Sequence, residues 1–337
     1  MVLVTGATGL VGSHLLIKLI QHKNSIRALY RSEEKKNYTL NLVSSLVPKE
    51  KHEHLQNIQW FKCDITDIPT LTDAFKDIDE VYHCAAKISF NPARYKLLRK
   101  VNIEGTANVV NLCILNDVKK LCHISSIAAI GEENNKSTIS EATEWNAERN
   151  NSVYAITKYG AEMEVWRGTQ EGLNTIIVNP GIIIGPGFYN SGSGIIFKRI
   201  YKGLKYYTPG ITGYVDVEDV TECMFLLMKS SIRNERYILV AENLSFKEAF
   251  SMIATSLNKK APTKLASKSL MTFAMYIEWL SHKLFNTKRT IFKSSIKSAF
   301  SESYYSNEKI IRDLDFKFKP MKESIKNSAS YFLKQNS

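Results

Sequence analysis

A tyrosine and a lysine, Tyr154 and Lys158, stand four residues apart in a stretch, 152–170, whose pattern predicts a helix. At this spacing the two side chains lie on one face of the helix. A phenol has an ordinary pKa of about 10, and a nearby ammonium group stabilises the phenolate and lowers that pKa. The pair is therefore a candidate proton donor for carbonyl reduction, or proton acceptor for alcohol oxidation.

Two serines, Ser125 and Ser126, directly follow the apolar run Leu121–Ile124, which predicts a buried strand. A Tyr–Lys pair at this spacing occurs by chance in many helices. The pair gains weight here because the strand-end serines precede it and a glycine-rich turn opens the chain.

The chain opens on a short apolar run, Met1–Val4, and glycines follow at every third position. A helical pattern of leucines begins directly after them. A strand, a glycine-rich turn and a helix start form a phosphate site, because glycine allows a tight turn and the helix start offers free N–H groups and a partial positive charge. The dinucleotide fingerprint GxGxxG has one residue fewer between its first two glycines. We expect this turn to bind a dinucleotide through Gly6, Thr8, Gly9, Leu10, Val11 and Gly12.

Apolar runs and helical patterns alternate through the first half of the chain. This alternation predicts right-handed βαβ units and a parallel sheet. Residues 92–116 predict one long helix, and a shorter helical piece is expected around 40–46. We predict an α/β fold: a Rossmann-type doubly wound parallel sheet with a smaller, mainly helical C-terminal substrate-binding region. The expected boundaries are 1–180 for the nucleotide-binding domain, with its sheet completed by segments from 205–245, and 181–337 for the basic substrate-binding region.

The second predicted strand, Ser25–Tyr30, is followed by Arg31, and Lys36 comes soon after. In NAD-selective sites an acidic residue near this point binds the ribose 2′-hydroxyl, whereas an arginine suits the 2′-phosphate of NADP. Glu33 and Glu34 come only after the end of the strand. The sequence therefore favours NADP(H), with Arg31 and Lys36 as ligands, and leaves NAD(H) open.

From Met1 to about Met228 the motifs TGATGLVG, HCAA, NIEGT, ISSIAAIG, YAITK and NPG occur in order. In these features the chain resembles the extended short-chain dehydrogenase/reductase superfamily, which includes the NAD-dependent epimerase/dehydratase family. The resemblance implies that Ser126 hydrogen-bonds the reacting oxygen, with Ser125 as the alternative serine. It also implies that Tyr154 transfers the proton, that Lys158 holds the nicotinamide ribose, and that Asn102 completes a water relay.

The same resemblance implies cofactor contacts at the carboxyl ends of several strands. Asp64 and the apolar residue after it are expected at the adenine. Small residues after the fourth strand let the backbone approach the cofactor, and the segment after Asn179 lies against the nicotinamide. Besides the opening turn, Arg31 and Lys36, the expected contacts are Asp64, Ile65, Cys84, Ala85, Ala86, Tyr154, Lys158, Pro180, Gly181, Ile182 and Ile183.

The run 177–181 and Arg31 resemble the dihydroflavonol-reductase-like and hydroxysteroid-dehydrogenase-like branch. This implies an NAD(P)-dependent oxidoreductase that uses NADPH to reduce a small-molecule ketone or aldehyde, or catalyses the reverse alcohol oxidation. Two alternatives stay open: a nucleotide-sugar epimerase or dehydratase with tightly bound NAD, and a non-catalytic dinucleotide sensor. The complete Ser126, Tyr154 and Lys158 set argues against the sensor. The resemblance leaves room for a homodimer through helices at 92–116 and 152–171.

The composition fits a protein with a full core, since 44% of the 337 residues are apolar. The five scattered cysteines indicate buried thiols of a reducing cytoplasm. The run 52–54, His-Glu-His, lacks the HExxH spacing, so no metal site is predicted. No signal peptide is visible and no apolar run approaches the roughly 20 residues of a membrane span. We expect a cytoplasmic protein without an integral membrane segment.

The net charge of +12 is concentrated late in the chain, where residues 259–337 contain 16 Lys or Arg and 6 Asp or Glu. No nucleic-acid motif accompanies this charge. A solvated lysine-rich surface is the simplest interpretation. An anionic substrate tail and peripheral contact with a membrane surface stay open, the latter because Leu270–Phe285 is amphipathic.

Overall fold

The computed structural model describes residues 1–22, 25–131, 138–287 and 289–336. In these ranges the strands form a large sheet and two small ones. In chain order the strands are β1 Val2–Thr5, β2 Ile26–Tyr30, β3 Ile58–Lys62, β4 Glu80–His83, β5 Lys120–Ile124, β6 Thr175–Pro180, β7 Ile182–Ile184, β8 Tyr206–Tyr207, β9 Ile211–Asp216, β10 Glu235–Leu239, β11 Glu242–Ser245 and β12 Lys264–Leu265.

Seven parallel strands make the large sheet, in the order β10-β6-β5-β4-β1-β2-β3. The strand order reverses at β1, which has β2 on one side and β4 on the other. This is the topological switch point of a doubly wound sheet, where a crevice opens at the carboxyl ends of the strands. The predicted Rossmann-type α/β fold is confirmed.

Helices cover both faces of this sheet, so its strands are apolar on both sides. In chain order, the helices of the whole described structure are α1 Leu10–Ile20, α2 Glu33–Leu46, α3 Ile68–Ala74, α4 Tyr95–Leu98, α5 Gly105–Leu115, α6 Val153–Gln170, α7 Ile195–Tyr201, α8 Val217–Lys229, α9 Phe246–Ser256, α10 Lys268–Phe285, α11 Lys293–Phe300, α12 Glu308–Leu314 and α13 Met321–Asn336. One core includes Leu16 of α1 and Met224 of α8, and the other includes Leu71, Val109 and Val165 of α3, α5 and α6.

The segment 92–116 differs from the single α-helix that the sequence predicts. A 3-10 turn, Pro92–Arg94, leads into α4, and a π-helical segment, Arg99–Glu104, separates α4 from α5. Asn102 lies in the π-helical segment and its side chain is hydrogen-bonded to the backbone of Lys87. The π-helical segment therefore coincides with the hydrogen bonds between Asn102 and the chain after β4. The helical periodicity of the sequence does not reveal this contact.

The helix α2 also differs, since it begins at Glu33 and not near residue 40. Ser32 caps it, because its hydroxyl accepts a hydrogen bond from the backbone N–H of Lys35. A 3-10 segment, Lys49–Asn57, then completes the connection to β3. The capping serine places the start of α2 directly beside Arg31.

The chain after β6 builds the second part of the molecule. The strands β7, β9 and β11 form one small sheet and β8 pairs with β12. Helices α7, α9 and α13 pack against this part around Phe197, Ile253 and Phe332. Between these elements the chain returns to the large sheet, where β10 pairs with β6 at the edge.

In the described ranges, no helix is both long enough and apolar enough to cross a membrane. The same ranges contain no group of three or more His, Cys, Asp or Glu side chains that could hold a metal ion. All five cysteines are free thiols.

Candidate active site

The glycine-rich turn lies at the carboxyl end of β1, between that strand and α1. Gly6 has a φ of 66°, and a Cβ at this position would lie 2.6 Å from the backbone nitrogen of Ala85. A Cβ on Gly12 would collide with the carbonyl oxygen of Gly6, whereas at Gly9 there is room for one. The turn therefore needs glycine at Gly6 and Gly12 for its own shape. Gly9 leaves an open cradle at the start of α1.

This cradle fits the pyrophosphate of a dinucleotide. Gly9 is the N-cap residue of α1, and in the described part of the chain no side chain caps that helix. Its first N–H groups and its positive dipole end are therefore directed toward an anion. Thr8, Leu10 and Val11 are half-buried on the same turn.

The end of β4 is held against this turn by Thr5, which is completely buried. The Thr5 hydroxyl oxygen accepts a hydrogen bond from the backbone N–H of Ala85 at 3.2 Å and lies 2.7 Å from Nδ1 of His83. Burial lowers the pKa of His83 to about 3, so its ring is neutral. Cys84, Ala85 and Ala86 thus follow β4 directly beside the cradle, where the resemblance places them.

Arg31 and Asp64 meet at the ends of β2 and β3. The Arg31 guanidinium lies 3.1 Å from Oδ2 of Asp64, and both side chains are exposed. Burial raises the pKa of the Asp64 carboxyl, but hydrogen bonds from Thr66 and Arg31 outweigh it and hold that pKa below its ordinary value. Lys36 lies nearby on α2, with its ammonium 4.9 Å from the Tyr30 ring centroid.

Ile65 is placed differently from the other expected adenine contacts. Its side chain is buried and packs so tightly against Gly105 that a Cβ there would lie 2.6 Å from Cδ1 of Ile65. Only the backbone of Ile65 could therefore contact a cofactor.

Helix α6 carries Tyr154 and Lys158 on one face, at the carboxyl ends of β5 and β6. Ser126 follows β5, and its hydroxyl accepts a hydrogen bond from the Ala128 N–H at 3.2 Å and lies near enough to the phenol of Tyr154 to lower the pKa of that phenol. Ser125, the alternative serine, is buried, and its backbone N–H bonds the carbonyl of Val178 in β6. The structure therefore brings Ser126, and not Ser125, to Tyr154.

The electrostatics of the pair differ from the expectation that Lys158 lowers the pKa of Tyr154. Burial raises the pKa of Tyr154, and the nearby Ser126 hydroxyl only partly offsets this. The Lys158 ammonium donates to the carbonyl of Ile124 at 2.6 Å, and burial lowers its pKa to about 8. Desolvation thus dominates both groups, because the pair lies deep in the crevice. Tyr154 is protonated at neutral pH.

Asn102 is buried against α6. Its amide nitrogen donates to the Thr157 hydroxyl at 3.1 Å and to the Lys87 carbonyl at 3.0 Å, and its oxygen accepts from the Lys87 N–H at 2.7 Å. Asn102 therefore joins the chain after β4 to the residue that precedes Lys158.

A buried acidic group, Glu162, lies one turn beyond Lys158 and was not predicted. Asn179 donates to Oε1 of Glu162 at 2.5 Å and to the carbonyl of Ser126 at 3.0 Å. Arg236 of β10 lies 3.6 Å from Oε2 of Glu162. Burial raises the pKa of Glu162, and Asn179, Arg236 and Lys158 oppose that rise. The i, i+4, i+8 spacing from Tyr154 could have indicated Glu162, but no local pattern indicates Arg236.

The segment after Asn179, which the resemblance places at the nicotinamide, lies between the large sheet and the small sheet of β7 and β9. Pro180 pairs with Leu239 in the large sheet, and Gly181 lies so close to Gly213 that a side chain would not fit. Ile182 and Ile183 then form β7 and are half-buried.

An aromatic neighbour of Tyr154 was also not predicted. The ring of Phe90 packs edge-on against the ring of Tyr154, with centroids 5.6 Å apart. Phe90 and Ile88, two residues before it, are both exposed. A substrate that reached Tyr154 would therefore contact apolar side chains.

Taken together, the cradle, the strand ends and the Ser126–Tyr154–Lys158 group define a dinucleotide-dependent oxidoreductase site. The sequence profile of the NAD dependent epimerase/dehydratase family matches residues 2–240. The chain belongs to this family, and it is an NAD(P)-dependent oxidoreductase of the extended short-chain dehydrogenase/reductase type.

Individual relatives agree with this assignment. The chain is 26% identical to a dihydroflavonol 4-reductase-like protein of Synechocystis over 341 residues, 98% of this chain and 93% of the relative. It is 26% identical to cinnamoyl-CoA reductase 1 of Petunia hybrida over 248 residues, 70% of this chain and 71% of the relative. The structure of UDP-glucose 4-epimerase from Thermotoga maritima, determined with UDP-glucose, has the same fold, with a TM-score of 0.76 and 21% identity over 100% of this chain and 99% of that one.

Proposed function

We propose that this protein is an NADPH-dependent carbonyl reductase that acts on an apolar ketone or aldehyde. The observation that carries the proposal is the placement of Ser126, Tyr154 and Lys158 together at the carboxyl ends of β5 and β6, beside the glycine cradle of β1. The reductase names of the two relatives support reduction over epimerisation.

Each residue of the site has its own role in the proposed reaction. When bound, the nicotinamide supplies the hydride that adds to the carbonyl carbon. The hydroxyl of Ser126 hydrogen-bonds the carbonyl oxygen, and Tyr154 donates its phenolic proton to that oxygen, which gives the alcohol. Lys158, on the same face of α6, would hold the nicotinamide ribose, and Tyr154 recovers its proton from solvent. Asn102 holds α6 at Thr157 and so fixes the direction of this face.

The proposal of NADPH over NADH is supported by the charges around α2. Arg31 and Lys36 offer two cations at the end of β2, where an NAD-selective site has a carboxylate. Glu33 is the nearest acid on α2, and its carboxylate accepts hydrogen bonds from Tyr30 at 2.5 Å and from Lys36 at 3.2 Å. The 2′-phosphate would compete with Asp64 for Arg31.

The proposed apolar substrate follows from Phe90 and Ile88. A nucleotide sugar carries many hydroxyl groups and two phosphates, and these apolar side chains offer no partners for them. A flat or aliphatic carbonyl compound would pack on the Phe90 ring while its oxygen reaches Ser126 and Tyr154.

A substrate panel with each cofactor tests the proposal. Purified protein is assayed with NADPH and NADH against aromatic and aliphatic ketones and aldehydes, and with UDP-sugars without added cofactor. We expect oxidation of NADPH with an apolar carbonyl compound. Turnover of a UDP-sugar through NAD that co-purifies with the protein would contradict the proposal and support the epimerase alternative.

The role of Tyr154 is tested by Tyr154→Phe, which keeps the ring and removes the proton. Turnover should fall by about 10²–10⁴-fold, the usual contribution of general acid catalysis. Tyr159→Phe is the matched control, because the Tyr159 ring stacks on Trp145 on another side of α6. Near-normal turnover of Tyr154→Phe would exclude Tyr154 as the proton donor.

We also propose a homodimer through α4–α6, supported by the exposed apolar side chains Leu97, Ile156 and Met163 on these helices. Sedimentation velocity of the wild type and of Met163→Asp tests it. A wild-type monomer would contradict it.

A further inference from the structure

The helix α10 presents a long apolar stripe to solvent. Leu270, Phe273, Ile277, Leu280 and Leu284 recur at intervals of three and four residues and therefore lie along one side of the helix. Each of these five side chains, here called the α10 face, is between 42% and 64% exposed. An amphipathic surface helix normally turns such a stripe toward the core.

The inward side of α10 is a different one. Met275 is the buried residue of this helix, and the 3.6-residue period places it opposite the α10 face. The helix α11 packs on α10. Exposed Tyr276 borders the α10 face, whereas exposed Trp279 and Phe285 lie on other sides of the helix.

This patch is larger than scattered surface hydrophobics. Eight of the twenty exposed large hydrophobic side chains in the described part of the chain are on this single helix. Isolated exposed apolar residues are normal, but a contiguous patch marks an interaction surface.

The charge of the segment that contains α10 indicates the charge of the surface that the α10 face would bind. Residues 259–300 contain nine Lys or Arg and one acidic residue, Glu278. The Glu278 carboxylate is turned inward, where it accepts hydrogen bonds from the Thr290 N–H at 2.7 Å, the Thr290 hydroxyl at 2.6 Å and the Ile291 N–H at 2.8 Å. The one negative group of the segment is therefore held by the α10–α11 connection, and the segment that carries the α10 face is strongly basic.

We propose that the α10 face binds an anionic lipid bilayer, with α10 lying in the plane of the membrane interface. An amphipathic helix bordered by lysines buries its apolar side at the boundary of headgroups and acyl chains, and anionic headgroups attract the basic residues. Tyr276, beside the α10 face, is a residue type that favours this interface. The proposal is independent of the substrate proposed above.

A second copy of the chain is the weaker candidate for this face. Two copies joined at α10 would bring two segments together that each have nine basic residues and one acidic residue. Like charges at such short range oppose association, whereas an anionic membrane is complementary.

The test is flotation of the full chain with two kinds of vesicle, phosphatidylcholine alone and phosphatidylcholine mixed with phosphatidylserine. We expect binding to the mixed vesicles that weakens as salt is added. The variant Phe273→Ser/Leu284→Ser should weaken this binding by about tenfold or more, because two large apolar side chains no longer enter the lipid. Its NADPH affinity and oligomeric state should equal those of the wild type.

The matched control is Ile68→Ser/Leu115→Ser, which removes two equally exposed apolar side chains from α3 and α5. This control should bind vesicles like the wild type. Absence of vesicle binding at low salt would overturn the proposal. So would equal binding of wild type and the α10 variant, or self-association in the absence of lipid that the α10 variant abolishes.

Discussion

The substitution Lys158→Met measures how much the buried positive charge of Lys158 lowers the free energy of unfolding. The Lys158 side chain is 2% exposed. Burial lowers the pKa of its ammonium from the ordinary 10.5 to about 8, against a smaller opposing effect of Glu162. At neutral pH the folded protein therefore buries the charged ammonium, whereas in the unfolded chain the same ammonium is hydrated. The difference between the two pKa values corresponds to about 3 kcal/mol of lost stability.

The sign of the pH dependence follows from the order of these pKa values. Between about pH 8 and pH 10.5 the unfolded chain binds one proton more than the folded protein at this group. The free energy of unfolding of the wild type therefore rises with pH in this window, by about 1.4 kcal/mol per pH unit from Lys158. Methionine has no proton to bind, so the variant lacks this contribution.

At pH 7 two effects of the substitution nearly cancel. Removal of the buried charge adds about 3 kcal/mol, and loss of the charge-assisted hydrogen bond to Ile124 subtracts roughly 1.5–3 kcal/mol. The variant should thus be as stable as the wild type, or slightly more stable, although its turnover is lost and its cofactor binding is weakened.

Urea unfolding of wild type and Lys158→Met from pH 7 to pH 10 provides the measurement. The stability of the variant relative to the wild type should fall steadily above pH 8. Lys202→Met, which removes an exposed lysine, controls for the change in net charge. A stability difference that stays constant with pH, or a strongly destabilised variant at pH 7, would refute the reasoning.

Three further changes test the surroundings of the site. Arg31→Ala should weaken NADPH binding by about ten- to a hundredfold and NADH binding much less, since a charge-assisted phosphate contact is worth roughly 1.5–3 kcal/mol; equal effects in a fluorescence titration would contradict the NADP assignment. Glu162→Gln removes the carboxylate that raises the pKa of Lys158, so the alkaline limb of the kcat–pH profile should move to lower pH; an unmoved limb would show that Glu162 does not act on Lys158. Gly12→Ala should lower the melting temperature because its Cβ collides with the turn, whereas Gly9→Ala should keep the melting temperature and weaken cofactor binding; the reverse pattern would contradict the assigned roles.

The parts of the site that the sequence predicts are those built by neighbouring residues. The turn from Gly6 to Gly12 and the pair Tyr154 and Lys158 are local patterns, and their positions follow once the strand and helix around them are known. The parallel arrangement of the strands also follows from the alternation of strands and helices, whereas their order in the sheet comes from the structure. The family resemblance already selected Ser126 with Ser125 as the alternative, and in the structure Ser126 is the serine that acts on the pKa of Tyr154.

Other features depend on contacts between distant segments and have no local pattern. Thr5 and Phe90 act on groups that lie about 80 and 60 residues away along the chain, at His83 and Tyr154. The π-helical segment at Asn102 departs from the 3.6-residue period on which helix prediction depends. We expected Lys158 to lower the pKa of Tyr154. This was wrong, because the expectation considered the charge of the nearby lysine and left out the burial of the phenol, which raises that pKa.

The catalytic helix is supported by a strand that comes late in the chain. Arg236 belongs to β10, and besides facing Glu162 its Nε donates to the carbonyl of Glu141 at 2.9 Å. Glu141 in turn accepts a hydrogen bond from the N–H of Ile238 at 2.8 Å, so β10, the segment before α6 and the acidic end of the Tyr154–Lys158–Glu162 face are joined. In the sequence this strand comes only after β7–β9, where the chain returns to the large sheet. The pKa of Lys158 therefore depends, through Glu162, on a residue from the second half of the sequence, and changes at Arg236 should reach the chemistry without any contact with substrate.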